Sequence, residues 1–203
     1  MSSDNQEENL TFNAACFSTN YQNLNSITIM KQYFMSTECL DIVYVKNYQV
    51  EFVHKLLGEN GSKMECKNIY KEIDLSSKNN KIDENPDCYI IFFDLENSES
   101  LIELNKILNF ISLNDDSNGK IYVINIYTNE KNIKSNLTEE NINVYFGKYS
   151  LLNYDISIVN LDTSDELVKV IDSLTEDTLE EKNLFKGNKN IDSDKSKSIC
   201  QII

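Results

Sequence analysis

The last four residues, Cys200-Gln201-Ile202-Ile203, place a thiol four positions from the end with an apolar residue at the second following position. That is the C-a-a-X pattern on which a prenyl group is joined to the cysteine sulfur. Isoleucine in the final position is nearer in bulk to leucine than to serine or methionine, so geranylgeranyl is expected rather than farnesyl. A single lipid chain holds a protein to a bilayer only weakly. The nearby Lys182, Lys186, Lys189, Lys195 and Lys197 form a modest basic patch, diluted by Asp192 and Asp194. Reversible membrane association is therefore the expectation.

Little else in the chain has the spacing of a reaction centre. Cys16, Cys39, Cys66 and Cys88 never pair as C-x-x-C, and His54 is the single histidine, so no zinc site is expected and the thiols read as small reduced hydrophobes. Asp115 with Asp116, and Glu139 with Glu140, are adjacent carboxylates that read as solvated loop and helix-start charges. His54 reads as a strand surface residue. No Ser-His-Asp or Cys-His arrangement is visible. A phosphate loop of the G-x-x-x-x-G-K-[ST] type is missing, with no glycine before Gly58 and no lysine or arginine between Met1 and Lys31.

The composition narrows the classes further. With 33 acidic against 19 basic residues the net charge is −14, which argues against a nucleic-acid partner, because such binding rests on neutralising phosphates. The 203 residues fit one domain with a tail, and a 40% hydrophobic share supports a core. No apolar run is long enough for a transmembrane helix. The polar start, Met1 to Asn9, resembles neither a secretory signal nor a transit peptide.

Three apolar runs must be the scaffold: 88–93, 121–127 and 154–159. Continuous β-branched and aromatic runs of this length suit strands buried on both faces of a parallel sheet. Helical stripes alternate with them. Leu101, Leu104, Ile107, Leu108 and Ile111 form one, opened by Ser100 and Glu103 in capping-box spacing. Thr138 opens a second, carrying Ile142, Tyr145, Phe146 and Tyr149. Thr163 opens a third, with Leu167, Val168, Ile171 and Leu174. The earlier part reads as a strand over 12–17, a helix over 26–34, and an antiparallel hairpin of 50–57 with 63–70, turned at Asn60-Gly61. The expected fold is α/β: a doubly wound, mostly parallel sheet with one antiparallel hairpin. Residues 1–9 are expected to be a flexible N-terminus, 10–178 the domain and 179–203 a flexible tail.

This order of elements, with the stretches 87–101 and 138–152 and the hairpin with Tyr70 in the place of a usual tryptophan, resembles the Ras-superfamily small GTPases. The Rab branch is the most similar, although the C-a-a-X ending is closer to the Ras and Rho style. The resemblance covers roughly residues 12–178 and implies a P-loop small-GTPase-like fold. It places the phosphate-loop equivalent at Asn20, Asn23, Asn25, Ser26, Ile27 and Thr28, with asparagine at the glycine positions and Ser26 in place of the phosphate lysine. The guanine-reading equivalent falls at Thr128, Asn129 and Lys131, without the aspartate that holds the base. Asp74 stands where a glycine amide would meet the terminal phosphate, and Ser157 keeps one residue of a further base-contacting motif.

These departures imply a degenerate member of the family. It would be prenylated at Cys200, sit reversibly on the cytosolic face of a membrane and bind protein effectors or trafficking factors in vesicle trafficking or signalling. No catalytic residue, metal or cofactor is expected on this reading. The alternative is a divergent GTPase that still binds and hydrolyses GTP with Mg as a switch. A third reading is an α/β binding protein without a lipid.

Overall fold

The computed structural model describes residues 10–19, 25–36, 41–46, 48–57, 63–76, 86–114, 119–128, 143–144, 146–148, 153–182 and 184. The strands are β1 (Leu10–Ser18), β2 (Asp41–Lys46), β3 (Gln49–Leu57), β4 (Lys63–Glu72), β5 (Cys88–Asp94), β6 (Lys120–Tyr127) and β7 (Tyr154–Asn160). The helices are α1 (Ser26–Ser36), α2 (Ser100–Asn114) and α3 (Ser164–Glu181). All strands join one sheet in the order β2-β3-β4-β1-β5-β6-β7. β1 pairs in parallel with both β4 and β5, and β5-β6 and β6-β7 continue in parallel. The fold is therefore α/β with a mostly parallel sheet, as the alternation of apolar runs and helical stripes predicts.

The sheet is covered on both faces around its centre, and the continuous apolar runs are the cause. Along β5 every residue is buried. Cys88, Ile90 and Phe92 point into a core with α1 and α3, while Tyr89, Ile91 and Phe93 point into a second core with α2 and Phe146. β3 and β4 alternate instead. Val50, Phe52, Cys66 and Tyr70 are buried on the α1 and α3 side, and Glu51 pairs with Lys67 at 2.8 Å on the other face. Fully burying a side chain such as Phe92 is worth about 2–3 kcal/mol, so two apolar layers flanking one strand make β5 the anchor of the fold.

The expected hairpin is present, with Val50 opposite Tyr70 and Leu57 opposite Lys63. It is extended by β2, which pairs antiparallel with β3 and breaks register between Ile42 and Tyr44. The antiparallel part is thus a three-stranded meander at one edge rather than a hairpin alone. Tyr70 is a fully buried aromatic anchor of this core. It stacks on Phe52 at 5.7 Å and meets Phe12 edge-on at 5.8 Å.

α3 continues to Glu181, with Leu179 fully buried, so the core extends past residue 178. Its buried Thr175 and Thr178 donate their hydroxyls to the carbonyls of Ile171 and Leu174, at 2.8 and 2.7 Å. Their oxygens then accept from Tyr70 and Tyr122, at 3.5 and 3.1 Å. Of the stripe opened by Thr138, the described part is helical at Asn143, Val144 and Phe146. There Phe146 stacks on Tyr154 at 4.1 Å.

Two expected caps take other roles. Ser100 bonds Thr19, and Glu103 pairs with Lys106, in place of a mutual capping box. Thr163 stands at the N-cap of α3, but its hydroxyl donates to the Asn160 carbonyl at 3.0 Å. Among the described residues no helix is long and apolar enough to cross a membrane.

Candidate functional site

From β1 the chain moves toward one edge of the sheet, and from β5 toward the other. The strand order reverses between them, and open α/β sheets bind ligands in the crevice at the carboxyl ends of the strands at such a reversal. That crevice is bounded by the ends of β1, β4, β5 and β6 and by the starts of α1 and α2.

The start of α1 has the property a phosphate site requires, a set of backbone N–H groups left over by the helix and a positive dipole end. Asn25 is the N-cap. Its Oδ1 accepts from the Thr28 N–H at 2.8 Å and from the Thr28 hydroxyl at 2.7 Å, and its carbonyl accepts from Ile29 N–H at 3.2 Å. The carboxylate of Glu72, the last residue of β4, stands near enough to the N–H groups of Ser26 and Ile27 for them to favour its charge. Ile27 is fully buried and supplies no hydroxyl to a metal. The Ser26 hydroxyl is also fully buried; it acts weakly on Glu72 but has no partner in hydrogen-bonding geometry.

Glu72 reaches this place through the pleat of β4. Cys66, Asn68 and Tyr70 point to the α1 side, and alternation carries Glu72 to the same side at the strand's end. Burial pushes its carboxyl above the ordinary glutamate range; the amides of Ser26 and Ile27 oppose the shift and the charge of Asp74 adds to it. Asp74 itself turns away into a local turn. Its Oδ1 accepts from Ser76 N–H at 2.8 Å and from the Ser76 hydroxyl at 2.6 Å, and these bonds hold its carboxyl below the usual value. Asp74, which the resemblance sets at the phosphate position, is thus engaged with Ser76.

The β5 side repeats the pattern. Thr19 is fully buried. Its N–H continues the ladder to the Phe92 carbonyl at 3.0 Å, and its Oγ1 accepts from Asp94 N–H at 2.9 Å and lies 3.2 Å from Ser100 Oγ. The Asp94 carboxylate accepts from Glu96 N–H at 2.7 Å, and burial, followed by the neighbouring Glu96 charge, raises its pKa against the pull of the Glu96 and Asn97 amides. Thr128 gives its N–H and hydroxyl to the Glu96 carboxylate at 3.4 and 3.3 Å. The one described residue of the expected guanine-reading set is therefore engaged with Glu96.

Of the expected site residues, the structure brings Asn25, Ser26, Ile27 and Thr28 together at one helix start and places Thr128 at the end of β6. Asn20, Asn23, Asn129, Lys131 and Cys200 lie outside the described residues, as do Asp115, Asp116, Glu139 and Glu140. Ser157 lies within β7 opposite Ile124, not at the carboxyl end, where Asn160 stands. Glu72, Thr19 and Glu96 were not foreseen. For Glu72 the available signal was the period of β4, which puts position 72 on the face of Tyr70.

The site's chemistry is that of acceptors already matched to backbone donors. The buried thiols are poor nucleophiles, since burial pushes Cys66 up to about 12 and Cys16 and Cys88 well above the ordinary value. Among the described residues no three His, Cys, Asp or Glu side chains are grouped to hold a metal ion. No protein-family model and no curated protein matches the sequence.

Proposed function

We propose that this chain is a degenerate small-GTPase-like protein of the Rab/Ras kind. It is held reversibly on the cytosolic face of a membrane by a prenyl group on Cys200 and binds protein effectors or trafficking factors as a fixed-state scaffold, without turning over GTP. The observation that carries this reading is the start of α1. A helix end that would hold phosphate has its Thr28 N–H taken by Asn25 and the Glu72 carboxylate standing near its Ser26 and Ile27 N–H groups, and a carboxylate and a phosphate repel each other at that range. The sheet's reversal point and the helix-linked parallel strands are compatible with a P-loop-like scaffold. The C-a-a-X ending supports the lipid, and the acidic body favours attachment through the tail rather than through the domain surface.

The direct test is nucleotide content. Protein purified without added nucleotide is denatured in acid and the supernatant resolved by anion exchange, beside a small GTPase of known occupancy. The expected result is an empty protein that still melts cooperatively. Near-stoichiometric GDP or GTP would overturn the proposal in favour of a divergent GTPase. The lipid is tested by fractionating cells that express Cys200→Ser. Loss of the membrane fraction is expected, and an unchanged distribution removes the prenyl group from the reading.

A further inference from the structure

We infer that the outer edge of β7 is a docking surface for an extended segment of a protein partner, one that carries lysine or arginine along one face and apolar residues along the other. Such docking goes beyond the proposed function and is independent of whether a nucleotide occupies the crevice.

Hydrogen bonds fix which way the backbone of β7 points. The Asn153 carbonyl accepts from Ile121 N–H at 2.8 Å, and Leu161 N–H donates to the Tyr127 carbonyl at 2.8 Å. Ile121 stands opposite Tyr154, and Tyr127 opposite Asn160. In a parallel ladder so bonded, residues 153, 155, 157, 159 and 161 turn their N–H and C=O groups toward β6. Those of Tyr154, Ile156, Ile158 and Asn160 turn the other way. Among the described residues no strand lies on that side, because β7 ends the sheet. Asn160 N–H meets the Glu166 carboxylate at 3.0 Å, so an acceptor already closes one end of the row. No such acceptor stands at Tyr154, Ile156 or Ile158 among the described residues.

The two edges of the sheet differ. β2 breaks register between Ile42 and Tyr44 and ends in Lys46, and bulges and edge lysines both discourage strand addition. β7 keeps its register from Tyr154 to Asn160 and contains neither lysine nor proline. Its side chains set the partner's chemistry. Tyr154, Ile156 and Ile158 lie on the α2 side, only partly buried against the second core, so an added strand finds apolar neighbours there. Asp155 lies on the opposite face and is more than half exposed although it pairs with Lys120, and Glu181 shares that lysine. Two carboxylates to one ammonium leave negative charge at the start of the strand. Exposed Asp162 and Glu166 follow its end. A second copy would set acidic chain against acidic chain, at −14 each. A segment with cations on that face meets complementary charge. The backbone bonds of an added strand supply affinity, and its alternating side chains select it.

The probe is the acetylated and amidated peptide Lys-Val-Lys-Ile-Lys-Val-Lys, added to the full-length protein and followed by amide hydrogen exchange and NMR. In dilute protein alone, the N–H groups of Tyr154, Ile156 and Ile158 should exchange rapidly, while those of Asp155, Ser157 and Val159 are protected by the ladder. The peptide should slow exchange at the first three and shift their signals saturably. The same peptide with glutamate for every lysine should bind roughly tenfold or more weakly, as should one of identical composition with its lysines grouped at one end. Ile156→Pro removes an N–H that the β6 ladder does not use, so the chain should fold and lose the response. Protection of Tyr154, Ile156 and Ile158 in dilute protein alone overturns the inference. Protection that grows with protein concentration overturns it too, because a second copy then fills the edge. Absence of any response to the alternating peptide, or equal binding by the grouped one, has the same consequence. Should Ile156→Pro fail to fold, the exchange pattern and the peptide series in the wild type decide by themselves. Nucleotide in the purified protein overturns the proposed function and leaves this surface untouched.

Discussion

The two ends of the parallel sheet handle charge in opposite ways. At the amino end, charges are paired with charges. Lys120 bridges Asp155 at 2.7 Å and Glu181 at 3.2 Å, with its ammonium 4.9 Å from the centre of the Tyr122 ring. Burial alone would pull its pKa down, but the Asp155 and Glu181 carboxylates and the Tyr122 oxygen more than offset that and hold the ammonium above the ordinary lysine range. Lys182, at the end of α3, meets Asp87, whose other oxygen accepts from Asn13 N–H at 2.6 Å. At the carboxyl end, carboxylates meet backbone amides and hydroxyls: Asp94 the Glu96 N–H, and Glu96 the N–H and hydroxyl of Thr128. The amino end is arranged for stability. The carboxyl end sets half-buried carboxylates against backbone and hydroxyl donors instead of lysines.

Removing the cation at the amino end should give the largest effect. Lys120→Met leaves Asp155 and Glu181 facing each other. Because both carboxylates are more than half exposed, solvent screens part of the loss, and about 1–2 kcal/mol is expected by urea denaturation. A loss near zero would erase the contrast, since the paired end would then be no more structural than the other. Asn25→Ala comes next. It removes the side-chain cap of α1 and should cost about 1 kcal/mol. If the contrast holds, the loss is a loss of stability only, with no nucleotide gained.

The pH profile sharpens the comparison further. Burial raises the carboxyls of Glu72, Asp94, Glu176 and Asp177, so the folded chain holds those protons more tightly than the unfolded chain. Their contribution is fully present below the unfolded pKa and is lost as pH rises through the folded one. Hydrogen bonds from Lys67 and Ser76 lower Glu51 and Asp74, whose contribution is present above the unfolded pKa and lost as pH falls through the folded one. Tm measured by calorimetry should therefore rise on going from neutrality to about pH 5 and fall in stronger acid. A Tm that falls steadily from neutrality would mean that the raised group does not dominate. In Glu72→Gln the rise should be smaller, because one of the four groups is gone. The smallest effect is expected for Tyr122→Phe, which removes the 3.1 Å bond to Thr178. About 0.5–1 kcal/mol should be lost, because the Thr178 hydroxyl still donates to Leu174.

Much of the fold is legible in the chain because the relevant physics is local. The runs at 88–93 and 121–127 are apolar at every step, and a segment of that length with β-branched and aromatic residues can only bury both faces. The stripe of Leu104, Ile107, Leu108 and Ile111 has helical spacing, and the structure buries those residues together under the sheet. β2 shows the limit. Ile42, Val43, Tyr44 and Val45 have strand propensity, yet a short run of that kind becomes a strand only when an edge such as β3 offers it hydrogen bonds.

The sequence by itself determined the class of the fold, the parallel centre and the acidic balance, since periodicity and composition act within a few residues or over the chain as a whole. It also determined that a lysine-bearing phosphate loop is missing. Only the tertiary structure decided what stands in its place. Nothing near Glu72 in the chain sets it beside the start of α1, and nothing near Thr128 names Glu96 as its partner. Those pairings arise because parallel strands bring the ends of β1, β4, β5 and β6 to one side of the sheet. There backbone N–H groups such as that of Thr128 meet whichever oxygen a neighbouring segment delivers.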